Sequence, residues 1–283
     1  MNPFVERLHS ERPLVGVELR PPRADQDDAA SMESWIEMNG SVRRLAGLDT
    51  AVFLTDSAVG SREEENLQHL VANLERDVPR DRICPFLTAK HTLEYCLWYG
   101  IRALDAGYPA LTVLGGDTSV GQPRCLAHAY LLRQRVRERC PALALGGWAN
   151  PHRDPARQVD YLLDAAFTAE FYLTQVVSHY DLAPVERFCE EARRRGVPHP
   201  GVFGVFYYRS ASPKTLERLS RFLPVPAREL TRDLTERGLS PDEVSARSIA
   251  ALRGIGVTRV YLSNLPTGEA AERLEAIRAM AGL

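Results

Sequence analysis

Residues 171–206 read FYLTQVVSHYDLAPVERFCEEARRRGVPHPGVFGVF, and this stretch decides the fold. It opens on a nearly continuous apolar run, Phe171–Val176, and closes on another, Gly201–Phe206. Strands that are apolar on both faces belong to parallel sheets covered on both sides. Between the runs, Ala183–Arg195 repeats its apolar residues at a spacing near 3.6, and Gly196 follows where a helix needs a left-handed cap. Strand, helix and strand in this order form one right-handed parallel unit.

The same unit recurs in both directions along the chain. Earlier strands are expected at Val15–Leu19, Thr50–Thr55, Ile83–Leu87, Ala110–Leu114 and Ala142–Trp148, and a last one at Val257–Leu262. Helical spacing fills the intervals at Ser31–Leu45, Glu63–Leu74, Thr92–Leu104, Pro123–Arg139 and Pro155–Ala166, then at Ser212–Phe222 and Ala270–Ala281. Gly107 and Gly256 add two more stop signals. Ser240-Pro241-Asp242-Glu243 reads as an N-cap with proline in the first turn, so one extra helix lies between the seventh and eighth strands. Eight such units predict a closed α/β barrel, the (β/α)8 or TIM fold, as a single domain over 1–283. The competing architecture is an open doubly wound sheet. No GxGxxG follows any strand, and Gly115-Gly116 is too short to replace one.

Composition narrows the function classes. Hydrophobic residues make up 45% and charged residues 25%, with a net charge of −2. Such a surface gives no electrostatic reason to bind nucleic acid or a membrane. Arg193-Arg194-Arg195 reads as a solvated helix end. The five cysteines, Cys84, Cys96, Cys125, Cys140 and Cys189, are scattered, with no CxxC, so neither a disulfide framework nor a metal site is expected. The opening MNPFVERLHSERP has no apolar core of a signal peptide, and no apolar run is long enough to cross a membrane. A cytoplasmic protein is expected, with a homo-oligomer left open.

Barrel chemistry sits where strands end. Those ends carry Glu18, Thr55-Asp56, Thr88, Gly115-Gly116-Asp117, Trp148 with His152 just beyond, Gln175, Tyr207-Tyr208-Arg209 and Ser263-Asn264. Glu18 stands out as a carboxyl inside an apolar strand with Pro21-Pro22 behind it. Burial raises a carboxyl's pKa and suits it to donate a proton near neutral pH. The structural alternative is a buried glutamate paired with Arg20. Asp117 faces a similar choice between ligand contact and helix capping, Gln175 between ligand contact and a satisfied core amide, and His152 between acid–base work and plain surface polarity. Trp148, Phe86, Phe206, Tyr207 and Tyr208 can wall a pocket for a flat heteroaromatic ligand. The acidic run Glu63-Glu64-Glu65 reads as a helix start.

In chain order these ends resemble the methylenetetrahydrofolate reductase family. VELRPP at 17–22 is similar to the family's Phe-Glu-Phe-Phe-Pro-Pro, and FLTDSAVGS to its Thr-Tyr-Gly-Ala segment. PFLTAKHT resembles His-Leu-Thr-Cys, LGGD resembles Leu-Arg-Gly-Asp, FYLTQVV resembles Ile-Thr-Gln, and HPGVFGVF resembles the Pro-Gly-Ile strand. The resemblance implies Glu18 as catalytic acid, with Asp117, Gln175, Thr55 and Tyr207 on a tetrahydrofolate substrate. It implies Trp148, His152 and Asp56 on the hydride donor, and a place in one-carbon metabolism and methionine biosynthesis. Three departures fall on the flavin side: Phe86 replaces a histidine, Gly115 an arginine, and Asp164 a lysine that holds FAD phosphates. Losing cations beside a pyrophosphate removes charge-assisted bonds. The pattern resembles the flavin-independent members of some actinobacteria, with NADH as direct co-substrate and FAD absent. Two other readings stay open at this point: the same reaction with FAD held by other residues, and a non-catalytic folate-binding barrel.

Overall fold

The computed structural model describes residues 2–23, 25–56, 74, 78–118 and 121–283. Eight strands close into a parallel barrel: β1 Leu14–Leu19, β2 Val52–Leu54, β3 Ile83–Thr88, β4 Ala110–Leu114, β5 Ala144–Ala149, β6 Phe171–Val176, β7 Gly201–Phe206 and β8 Arg259–Ser263. Each pairs with the next, and β8 returns to β1 with Leu14 opposite Arg259 and Glu18 opposite Ser263. This is the TIM barrel expected from the apolar runs. The helix expected at Glu63–Leu74, with its acidic start, lies outside the described residues apart from Leu74.

Helices clothe the outside: α1 Pro3–His9, α2 Asp28–Gly47, α3 Leu93–Asp105, α4 Ala129–Arg139, α5 Pro155–Leu163, α6 Ala183–Arg194, α7 Pro213–Ser220, α8 Ala227–Thr231, α9 Pro241–Gly254 and α10 Ala270–Met280. The boundaries follow local chemistry. Ser240 and Glu243 form a reciprocal capping box at α9. Helix α4 starts at Ala129 rather than 123, because residues 121–128 run as bends over the β3 and β4 ends. The interval between β7 and β8 holds α7, α8, a π-helical turn at 232–236, and α9, which is more than the one extra helix expected.

Two cores follow from strand alternation. Outward residues such as Val15, Val17, Leu111, Leu145 and Leu262 pack under the helices. Inward residues such as Leu14, Phe53, Cys84, Phe171, Val202 and Tyr261 fill the barrel. Helix α1 closes the N-terminal end and was not foreseen. Its Phe4 enters the barrel core, with ring centroids 6.0 Å from Phe53 and 5.4 Å from Phe171. With that end filled, open space remains at the opposite end, where the strands point. Among the described residues no helix is long and apolar enough to cross a membrane, and no group of three or more His, Cys, Asp or Glu is placed to hold a metal.

Candidate functional site

The inward set of β1 is Leu14, Gly16 and Glu18, so alternation aims the Glu18 carboxyl into the barrel axis near the C-terminal end. A cavity of about 1500 Å³ opens there. It is large enough for sizeable organic ligands, since ordinary ligand sites occupy ~300–1,000 Å³. Its floor includes Phe86, Leu114 and Tyr261, and Glu18 stands on that floor. The Ser263 hydroxyl donates to Glu18 Oε1 at 2.9 Å. Below, the Tyr261 hydroxyl donates to the Thr174 carbonyl at 2.8 Å, and burial, then the Glu18 charge, hold its pKa well above the phenol range. Gly204 makes room for that hydroxyl: a Cβ there would sit 2.6 Å from Tyr261 Oη.

Thr55, Asp56, Asp117, Trp148 and Gln175 join Glu18 on the cavity wall, as the strand ends suggested. Asp56 accepts from the Thr88 amide at 2.7 Å and the Thr88 hydroxyl at 2.9 Å, and His91 Nε2 lies 2.8 Å from its other oxygen. His91, whose ring lies tilted against Tyr95 with centroids 4.4 Å apart, was not singled out in the sequence. Gln175 uses its amide internally, accepting from the Val176 N–H at 2.9 Å and donating to the Phe222 carbonyl at 3.4 Å. That bond ties the end of α7 and the segment after it to the cavity, which Leu219, Phe222 and Leu223 line. Trp148 is 38% exposed, an aromatic face left open to the cavity.

Two expectations do not survive the geometry. Tyr207 points away from the cavity into the core under the helices, is 3% exposed, and donates to Asp242 Oδ1 at 2.8 Å. Alternation is the reason: Phe206 and Tyr208 face the cavity, so the residue between them faces out. His152 is not on the wall either. Its amide bonds to Asn150 Oδ1 at 3.0 Å in the turn after β5, and its Nε2 meets the Val176 carbonyl at 2.9 Å. Asp164 also needs correction. It caps the turn before β6 and lines a cleft with Glu170, Pro198 and His199, at the opposite end of the barrel. Its charge therefore bears on nothing bound in the mouth.

Gly115 and Gly116 have a reason in this structure. A Cβ on Gly115 would lie 2.7 Å from Arg124 Cζ, and one on Gly116, at φ +70°, would lie 2.8 Å from Lys90 Cγ. The glycines let Arg124 lie across the turn, where its guanidinium donates to the Gly116 carbonyl through Nε at 3.2 Å and through Nη2. Arg209, at the strand-end position read in the sequence, lines the cavity, and so do Arg124, His128 and Arg218, which went unread. Those three follow strand ends by several residues, beyond the reach of a strand-end rule.

No protein-family model matches the chain, and no curated protein matches it significantly in sequence. Solved structures do. One, at 16% identity and a TM-score of 0.65, covers 98% of this chain and 96% of its own; it is an uncharacterized protein from Clostridium thermocellum that binds two copies of 5-methyl-5,6,7,8-tetrahydrofolic acid. Another, at 14% identity and a TM-score of 0.54, is a putative phosphonomutase from Burkholderia cenocepacia J2315, with 98% and 96% coverage. At these identities the likeness shows that the chain shares the TIM-barrel fold of a folate binder and of a proposed enzyme.

Proposed function

We propose that the mouth binds a reduced folate and that the chain reduces 5,10-methylenetetrahydrofolate to 5-methyltetrahydrofolate. The observation that carries this reading is Glu18, a half-buried carboxyl on the floor of a large cavity, held by Ser263 and flanked by Asp117 and Gln175 on the wall. The order of strand-end motifs and the folate bound by a protein of like fold support it. The one-carbon bridge of the substrate is an aminal. Protonation of its departing nitrogen by Glu18, directly or through water, breaks one C–N bond and leaves an iminium at the other nitrogen. Hydride added to that carbon gives the methyl group. Asp117 holds and orients the pterin together with the amide hydrogen and lone pair that Gln175 does not spend on Phe222 and Val176, and Thr55 packs beside it.

A reduced nicotinamide, NADH, supplies the hydride when bound as co-substrate. Trp148 offers it an aromatic face. Asp56, three strands away, bounds the far side of the same space. A flavin-dependent version is the second reading, and Arg124 favours it. Arg124 restores a cation where Gly115 lacks one, and Asp164 adds no repulsion in the mouth. The guanidinium is already committed to the Gly116 carbonyl, and Phe86 brings no charge, so the flavin-free reaction remains the proposal. The visible spectrum of the purified protein, before and after adding FAD, separates the two.

The acid is tested by Glu18→Gln, which keeps size but has no carboxylic proton. It should lower kcat at least about 10²-fold with folate binding unchanged by calorimetry. A variant keeping more than a tenth of wild-type kcat would remove Glu18 from the chemistry. Wild type that binds 5-methyltetrahydrofolate yet turns over with none of NADH, NADPH or reduced flavin would be a binding barrel.

A further inference from the structure

We propose that Ser263 is the positioning residue of the Glu18 carboxyl and sets the pH at which that carboxyl exchanges its proton. The inference rests on the reading of Glu18 as the acid. Barrel closure makes Glu18 and Ser263 direct partners across β1 and β8, and alternation turns both inward. The Ser263 hydroxyl, 8% exposed, donates to Oε1 at 2.9 Å, so water competes little for the bond. A hydroxyl has one proton. Given to a carboxylate, it favours the charged form and fixes the rotamer that points the group at the ligand.

The titratable groups that share the cavity wall with it include Tyr261 on β8, Arg20 beyond β1, Asp56 beyond β2, Asp117, Arg124 and His128 beyond β4, and Tyr208 and Arg209 beyond β7. Tyr261 has its proton committed to Thr174. Cations in such a set favour a carboxylate and anions oppose it. Removing one hydroxyl at Ser263 changes none of these charges, so the resulting shift isolates the serine's part.

The test reads Glu18 directly by ¹³C titration of glutamate-labelled protein, with the signal assigned by its loss in Glu18→Gln. In Ser263→Ala the midpoint should rise by about half a pH unit or more, as the loss of a bond to a charged group implies. Ser263→Thr, which keeps the donor, should restore it. Ser263→Cys, a weak donor, gives a second measurement in the upward direction. The falling alkaline limb of kcat/KM for methylenetetrahydrofolate should move up with the midpoint. A midpoint unmoved or lowered in folded Ser263→Ala overturns the proposal. A raised midpoint in a protein that turns over no folate leaves the positioning role standing and removes the reductase reading alone.

Discussion

Replacing Gly204 by alanine tests the packing on which the floor of the mouth depends. The added Cβ would stand 2.6 Å from Oη and 2.7 Å from Cζ of Tyr261, a ring 1% exposed inside a closed barrel. The ring cannot swing to solvent, so either β7 moves or the hydroxyl leaves the Thr174 carbonyl. Overpacking costs about 1–3 kcal/mol. A buried carbonyl left without its donor costs about 1–3 kcal/mol more. Alanine returns roughly 0.4–1 kcal/mol by restricting the unfolded chain. The net is a loss of about 1 kcal/mol or more in urea unfolding, with an unchanged slope. Tyr261→Phe removes the atom nearest the new methyl, so the double variant should lose less than the sum of the two singles. A Gly204→Ala protein within about 0.5 kcal/mol of wild type would refute the tight contact, and with it the fixed floor beneath Glu18.

Tyr207→Phe should cost about 1 kcal/mol by leaving Asp242 Oδ1 without its donor while Arg273 keeps Oδ2, and folate affinity by calorimetry should stay the same; a weaker folate complex at unchanged stability would return Tyr207 to the site. Asp233 is buried, which raises its pKa, yet the Tyr180 bond and the Arg237, Arg232 and Arg247 guanidiniums outweigh this and hold it below the usual carboxylate range. A depressed folded pKa gives stability that is present above the unfolded value and lost as pH falls through the folded one. Asp233→Asn should therefore unfold more easily than wild type at neutral pH, by about 1 kcal/mol, with the gap closing below about pH 4. A gap that stays constant down to pH 2 would mean the aspartate's charge contributes nothing.

Much of the fold was legible because parallel strands buried on both faces leave continuous apolar runs, and glycines such as Gly107, Gly196 and Gly256 mark the helix ends with positive φ. The inward aim of Glu18 was legible too, through the alternation of Leu14, Gly16 and Glu18 against Val15, Val17 and Leu19. The same counting by twos, carried from Val202 through Gly204 and Phe206 to Tyr208, would have turned Tyr207 outward. Grouping aromatics by neighbourhood instead of by parity hid it. Asp164 was misplaced because distance along the chain from Gln175 says nothing about which end of the barrel a residue occupies. Helix α1 had its signals, with Asn2 as cap, Pro3 in the first turn, and Phe4, Val5 and Leu8 on one face. Seven residues are too few for periodicity to stand out. Arg124 and Arg218 lie in segments whose helical spacing was read, but that spacing does not say which polar side chains reach the mouth.

The pairing of β1 with β8 has a consequence for synthesis. Glu18 and Ser263 are 245 positions apart, so nearly the whole chain must leave the ribosome before the carboxyl meets its partner. Until then β1 has an unpaired edge, and its neighbour β2 cannot supply the missing side. Contacts of such sequence separation form late and slowly. A nascent chain stalled before residue 259 would therefore carry the acid without its environment, and an open sheet edge that invites association with other chains.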